Sequence, residues 1–338
     1  VLVLGIESSC DETAVALVNS QKQVINQQIF SQLEEHAKFG GVVPEIAARS
    51  HLQKLPQLIN VVLAKASCNL SQIDGIAATA GPGLIGGLII GLMAGKAMAA
   101  ASKKPFIAVN HLEGHALTAR LTNSVEFPYL LLLVSGGHCQ ILVAQGVGNY
   151  QLLGSTIDDA VGEAFDKVAK MLGLGYPGGA LVEQKALQGI SDKYNFPRPL
   201  ITSNDCNFSF SGLKTAVKRT IDSIEGIKES DKANICASFQ QAVADIIVAK
   251  LNRALLNPNL SNTKQIVIAG GVAANRFIYN VIMQKFSHKY EIITPPLKLC
   301  TDNAAMIAWA GIERLRLGLV NDLNFEPRAR WPLGTQNA

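Results

Sequence analysis

The chain has 338 residues, 48% of them hydrophobic and only 17% charged, with a formal net charge of +4. That length allows two domains of ordinary size or one large one, and the apolar share excludes disorder over most of the chain. The small positive excess permits contact with nucleic acid without demanding it, and the six scattered cysteines, with no Cys-x-x-Cys pair, exclude a disulfide framework or a thiolate metal site. No basic stretch followed by an apolar run opens the chain, so no secretory signal is expected and a reducing compartment fits.

In chain order, VLVLGIESSCDETAVALV (1–18) reads as strand, polar turn, strand. A polar helix follows, then FGGVVPEIAARSHLQKL, where Pro44 suits the first helical position and Glu45 the first turn. IDGIAATAGPG, from Ile73, is a strand closed by a glycine turn. The run Leu84 to Ala101 is nearly long enough to span a membrane, but Lys96 interrupts it. With Gly87, Gly91 and Gly95 four residues apart, it reads better as a glycine-faced helix lying on a sheet. PFIAVNH is a short strand feeding a helix whose N-cap is Asn110.

YLLLLVSGGHCQILVAQG (129–146) repeats the form of the opening hairpin. TIDDAVGEAFDKVAKMLGL is an amphipathic helix, and residues from about Ala186 to Lys232 are the least regular. QIVIAGGVAANRFI, from Gln265, is strand, Gly-Gly turn and helix. The tail from Asn321 lacks periodicity and is expected to be mobile. Strands alternating with helices in both halves imply an α/β fold of two lobes with a cleft between them. The expected division is residues 1–122, completed by a C-terminal helix over about 303–330, then 123–302 as the second lobe, with 331–338 a mobile tail.

Four glycine turns, AGPG at 80–83, SGG at 135–137, YPGG at 176–179 and AGG at 269–271, adjoin apolar strands or helices. Glycine lets backbone N–H groups approach an anionic ligand, although a tight turn alone explains any single one. Two hairpin tips plus a late strand–Gly-Gly–helix resemble the actin/Hsp70/sugar-kinase (ASKHA) architecture, in which such tips face a nucleotide in the interlobe cleft. No Rossmann or Walker fingerprint competes.

NHLEGHALTAR (110–120) puts His111 and His115 on one helical face, as a metal-binding helix would. Asp302, in LCTDNAAMIAWAG, is a candidate third ligand, and Asp11 at the first hairpin tip could join it. Two imidazoles and a carboxylate leave coordination positions open, which suits iron(II) or zinc. Spacing alone leaves this reading open beside that of two surface histidines. A zinc-protease helix needs glutamate directly after the first histidine, and that place holds Leu112. Glu113 projects about 100° further round the helix.

The blocks GIESSCDETAVALV, GGVVPEIAARSH, AGPGLIGGLIIGL, NHLEGHALTARL, LLVSGGHCQIL, IDDAVGEAFDKVAKMLGLGYPGG, FSFSGLKTAV, AGGVAANRFI and TDNAAMIAWAG occur in that order. Together they resemble the bacterial tRNA N6-adenosine threonylcarbamoyltransferase family, long mislabelled as O-sialoglycoprotein endopeptidases, from about residue 2 to residue 330. The resemblance implies transfer of a threonylcarbamoyl group from threonylcarbamoyl-AMP to N6 of the adenosine beside the anticodon (A37), in tRNAs reading codons that begin with A. It implies one divalent metal, iron or zinc, on His111, His115 and Asp302, with Asp11 as a possible further ligand. Substrate-binding positions fall on Leu133, Val134, Ser135, Gly136, Gly137, Asp166, Gly179 and Asn275, and Asp11 and Glu12 occupy acidic positions that matter for activity.

Glu183 stands where some relatives present an aspartate to the nucleotide sugar. Archaeal and eukaryotic relatives carry a tyrosine metal ligand where this chain has Leu133, so that ligand is absent. The resemblance also implies a cytoplasmic enzyme working with an inactive actin-like paralogue as heterodimer and a small ATPase, with ATP used by the complex and no membrane. The competing readings are a small-molecule kinase of the same fold, a nucleotide-binding scaffold and, weakened by Leu112, a metallopeptidase.

Overall fold

A computed structural model describes residues 1–334; residues 335–338, the end of the expected tail, lie outside the described residues. The chain divides into two compact units. Unit 1 is Val1–Ser124 with Pro295–Leu333, and unit 2 is Val125–Thr294, taking in Gly334.

Unit 1 begins with β1 (Leu2–Glu7), β2 (Glu12–Asn19) and β3 (Val24–Ser31), then α1 (Leu33–Ala37) and α2 (Pro44–Lys65). β4 (Gly75–Gly81), α3 (Ile85–Ser102), β5 (Phe106–Asn110) and α4 (His111–Thr122) follow. Unit 2 contains β6 (Tyr129–Val134), β7 (Cys139–Gly146), β8 (Asn149–Ser155), α5 (Val161–Met171), α6 (Gly178–Ala186), α7 (Ser211–Asp222) and α8 (Glu229–Ala254). It closes with β9 (Gln265–Ala269), α9 (Arg276–Phe286) and β10 (Glu291–Ile293), and α10 (Ala304–Arg316) returns to unit 1.

Among the described residues each unit holds one five-stranded sheet, ordered β3-β2-β1-β4-β5 in unit 1 and β10-β9-β6-β7-β8 in unit 2. Read from the other edge, the second order is that of the first. Each has an antiparallel hairpin (β1–β2, β6–β7) whose first strand then pairs in parallel with a later one (β4, β9). The hairpin repetition seen in the sequence is thus a repetition of topology. β1, β4, β5, β6 and β9 are almost wholly buried, which explains their continuous apolar runs.

Glycines set how closely the helices lie on the first sheet. An added Cβ at Gly91 would meet Ser8 Oγ, one at Gly87 the Ser8 carbonyl, and one at Gly95 the Ala78 Cβ at 3.1 Å. α3 is long and apolar enough to cross a membrane by length and composition, yet this glycine face is packed on the sheet. On α10, a Cβ at Gly5 would stand 2.5 Å from the Ala304 carbonyl oxygen and the Ala308 nitrogen. Contact that close fixes α10 directly over β1.

Two parts of the expected layout differ. The segment Pro295–Asp302 goes with unit 1, because its turn is tied to the start of α10: Asn303 Nδ2 donates to the carbonyls of Leu299 (3.3 Å) and Thr301 (2.8 Å). The helix expected to run to about 330 ends at Arg316, and the chain from Asn321 is pinned as an extended strap. Asn321 N donates to the Phe106 carbonyl (2.9 Å), Arg328 N to that of Ala80 (2.7 Å), and Asn110 Nδ2 to that of Trp331 (3.0 Å). Such bonds engage backbone atoms and leave no hydrophobic period in the sequence, so composition alone reads as mobility.

Candidate active site

In unit 1, three parallel neighbours, β1, β4 and β5, end in a row, and ligands of α/β sheets gather at such carboxyl ends. β5 runs straight into α4, so His111 is the first helical residue and His115 lies one turn on. Asn110 caps the helix, its Oδ1 accepting from Leu112 N at 2.9 Å. Asp302 sits in the turn before α10, whose N-cap Asn303 accepts from Met306 N at 3.0 Å. Asp302 Oδ1 lies 3.3 Å from His111 Nε2 and 3.2 Å from His115 Nε2. The imidazole rings stand edge to face, with centroids 4.8 Å apart.

His111, His115 and Asp302 form a group that could hold a metal ion, their ligand atoms all within 4.8 Å of one another. Bonds of about 2.0–2.2 Å from a tetrahedral ion set its ligands roughly 3.3–3.5 Å apart, close to both measured edges. Asp11 is not a member of that group. The electrostatics suit a cation. Burial opposes charge on His111, but Asp302 and Glu7 outweigh it and hold the imidazole well above its usual pKa range. Burial likewise opposes charge on Asp302, and the two histidines outweigh it and hold its carboxyl well below the ordinary value. The two carboxylates thus favour positive charge at this ring, a charge that a bound cation would supply in place of a proton.

Asp11 and Glu12 occupy the β1–β2 tip. Burial first, then the charges of Asp302 and Asp11, push the Glu12 carboxyl up to about 9. Buried His51 of α2 holds this tip: its Nε2 lies 2.9 Å from the Cys10 carbonyl oxygen and its Nδ1 2.8 Å from Thr13 Oγ1. Glu113 is buried in an ion pair with Arg314 of α10 at 2.8 Å, beside the Arg120–Glu313 pair. It braces two helices and is no general base.

Unit 2 holds three of the four glycine turns, while AGPG (80–83) closes β4 in unit 1. Leu133 and Val134, at the end of β6, are buried, so only their backbone can meet a ligand. At the tip Ser135 N donates to the His138 carbonyl (2.8 Å) and Ser135 Oγ accepts from His138 N (3.1 Å). A Cβ on Gly136, Gly137, Gly179 or Gly271 would meet nothing within 4 Å, so these backbones face open space. Gly270, at φ +94°, abuts the Val134 carbonyl and brings the β9 turn against this tip.

The remaining substrate-binding candidates adjoin one another. Asp166 Oδ1 accepts from Gly178 N (2.7 Å), one residue before Gly179. Glu183 Oε1 accepts from Arg276 N (2.7 Å). Asn275 caps α9 through Ile278 N (2.9 Å) and donates to Gln240 Oε1 (3.1 Å). Glycine turns with open space beside them, together with the carboxylates of Asp166 and Glu183 and the amide of Asn275 in the same unit, are the kinds of group that contact a phosphate, ribose hydroxyls and a base.

Sequence reasoning passed over Glu7, Ser9 and Thr79. Glu7 is fully buried at the end of β1, 3.0 Å from His111 Nδ1. An acid closing an otherwise apolar central strand was the available signal, since a buried carboxylate requires partners. Gln240, on α8, gave none.

The sequence profile described as tRNA N6-adenosine threonylcarbamoyltransferase matches residues 23–309. A tRNA N6-adenosine threonylcarbamoyltransferase of Paramagnetospirillum magneticum is 55% identical over 336 residues, covering 98% of this chain and 97% of that protein. One of Methylocapsa acidiphila is 54% identical over 338 residues, covering 98% and 96%. Among solved structures, HypF of T. kodakarensis aligns with a TM-score of 0.63 at 13% identity, over 94% of this chain and 48% of that one. That likeness concerns the fold alone, which is actin-like (ASKHA) in class.

Proposed function

The chain belongs to the tRNA N6-adenosine threonylcarbamoyltransferase family, transferases that modify tRNA, and from that premise we propose how its residues divide the reaction. The substrates are threonylcarbamoyl-AMP and the adenosine beside the anticodon (A37) of tRNAs reading codons that begin with A. The exocyclic N6 attacks the carbamoyl carbon, the bond from that carbon to the phosphate oxygen breaks, AMP leaves, and N6 gives up one proton. Adenine N6 is a weak nucleophile because its lone pair is delocalised into the ring. Catalysis therefore depends on positioning, charge stabilisation at the carbonyl oxygen and proton removal.

The convergence of His111 Nε2, His115 Nε2 and Asp302 Oδ1 carries this reading. These residues would hold one divalent ion, and two imidazoles with one carboxylate and open positions suit iron(II) or zinc. Such an ion, when bound, supplies Lewis acidity toward the threonylcarbamoyl oxygens. Backbone amides at Gly136 and Gly137 would receive the AMP phosphate, with Leu133, Val134 and Ser135 shaping the tip. Asp166 and Glu183 would accept from the ribose hydroxyls, and Gly179 and Asn275 would flank the nucleoside. Asp11 or Glu12 would assist transfer of the proton leaving N6, Glu12 as a carboxyl that keeps its own proton near neutral pH.

The anticodon-loop base is reached by shape and phosphate contacts, and a chain of net charge +4 does this better within a complex. An inactive actin-like paralogue as heterodimer and a small ATP-using protein would complete it, in the cytoplasm where tRNA is modified.

The test incubates the protein with those partners, threonylcarbamoyl-AMP and unmodified tRNA, and measures N6-threonylcarbamoyladenosine. His111→Ala and Asp302→Ala should lose both metal and product while remaining folded. Full activity in a metal-free variant would refute the assignment. Phosphorylation of a small hydroxyl compound with no tRNA product would favour the kinase reading instead.

A further inference from the structure

Glu7 accepts two hydrogen bonds, one from the β1–β2 turn and one from β4: Ser9 N donates to Oε1 and Thr79 Oγ1 donates to Oε2, both at 2.6 Å. Its third neighbour is His111, with Nδ1 3.0 Å from Oε2. The β1-β4-β5 order explains the row: Glu7 ends β1, Thr79 lies on β4, and His111 follows the last residue of β5. Glu7 and Thr79 are essentially without solvent exposure.

A carboxylate can only accept. At 3.0 Å from Oε2, Nδ1 must therefore carry a hydrogen, because two facing lone pairs at that distance would repel. Ser9 Oγ, 3.1 Å from the same nitrogen, offers the competing arrangement, in which the hydroxyl donates to a bare Nδ1. That arrangement puts the ring hydrogen on Nε2 and leaves no lone pair toward Asp302 and His115. The carboxylate bond is the charge-assisted one and prevails.

We propose that Glu7 is the positioning residue of the metal centre: its carboxylate holds the hydrogen of His111 on Nδ1 and so keeps the Nε2 lone pair directed at the ion. This rests on the metal reading of His111, His115 and Asp302. It assigns Glu7 a role separate from Asp11 and Glu12, since Glu7 acts through His111 and touches no substrate. Carboxylates that orient ligating histidines change metal affinity by about 10- to 100-fold when removed.

The experiment measures zinc affinity by chelator competition for the unaltered protein, Glu7→Gln and His111→Ala, with thermal unfolding of each metal-free form. Glu7→Gln keeps the side-chain size, and is expected to fold and bind zinc about 10- to 100-fold more weakly. In the zinc-loaded unaltered protein, 15N NMR should show His111 protonated at Nδ1 and zinc-bound at Nε2, a measurement that needs no variant to fold. Unchanged affinity in folded Glu7→Gln, or zinc on Nδ1 of His111, overturns the role of Glu7 alone. Zinc uptake by the unaltered protein no greater than that of His111→Ala overturns the metal reading and this inference with it.

Discussion

Gly5→Ala tests whether the fold sets the metal geometry. The new Cβ would lie 2.5 Å from the Ala304 carbonyl oxygen and from Ala308 N, and 2.8 Å from the Ala308 Cβ. Favourable contacts of this kind lie at about 3.5–4.0 Å, so α10 must move off β1 by roughly 1 Å. Overpacking a close interface costs about 1–3 kcal/mol, which in a domain of this size lowers the Tm by roughly 2–12 °C. Asp302 lies two residues before α10, and its Oδ1 stands 3.2–3.3 Å from the two imidazole nitrogens. Metal–ligand distances tolerate about 0.2 Å, so a shift of this size should weaken zinc binding well beyond the stability effect.

Gly311→Ala is the comparison. Its Cβ would meet the Ala77 Cβ at 2.6 Å, on the same helix but nine residues beyond Asp302. It should lower the Tm similarly and spare more of the affinity. Differential scanning fluorimetry and chelator competition give the two readings. A Gly5→Ala protein that loses stability yet binds zinc normally would refute the reasoning that α10 fixes Asp302.

Gly136→Val should leave the Tm within about 1 °C, since a Cβ there meets nothing within 4 Å, while abolishing nucleotide binding in a titration with AMP. Asp158 accepts from Ser209 Oγ, Phe210 N, Ser211 N and Ser211 Oγ. Burial opposes its charge, but those bonds outweigh it and hold the carboxyl below its usual range. A lowered carboxylate contributes stability that is present above its unfolded pKa, about 3.9, and is lost as pH falls through the folded value. Asp158→Asn should therefore flatten the decline in stability below about pH 4, read from urea unfolding at several pH values; an unchanged slope would remove Asp158 as its source.

Much of this was legible in residues whose patterns are local. The four-residue spacing of His111 and His115 is a property of one helix, and the hairpin repetition is visible as two apolar–small–apolar runs. The pairing of those histidines with Asp302 was legible only through the order of motifs, because nothing in spacing shows that residues so far apart meet. Glu7 escaped notice because its importance lies in sheet order: only β1, β4 and β5 side by side bring it against Thr79 and His111. The sequence showed Glu113 out of place for a catalytic glutamate, but its bracing role was hidden because its partner, Arg314, lies on a helix about two hundred residues later. The strap from Asn321 is held by hydrogen bonds to strand and helix-cap residues and by Phe325 and Trp331 packed on the first core, a pattern with no period for the sequence to show.

The return of the chain to unit 1 bears on when the protein becomes competent. Both histidines and the β1 acids are made early, but Asp302 is synthesised 178 residues after unit 1 is interrupted at Ser124 (302 − 124). At about 5–20 residues per second, a nascent chain on the ribosome therefore carries two imidazoles without their carboxylate for roughly 10–35 s. Through that interval α10 is absent from its place over Gly5 on β1. An ion held by all three residues would consequently load late in biogenesis, and a chain stalled or cut before Asp302 would carry a partial ligand set however well its first residues had folded.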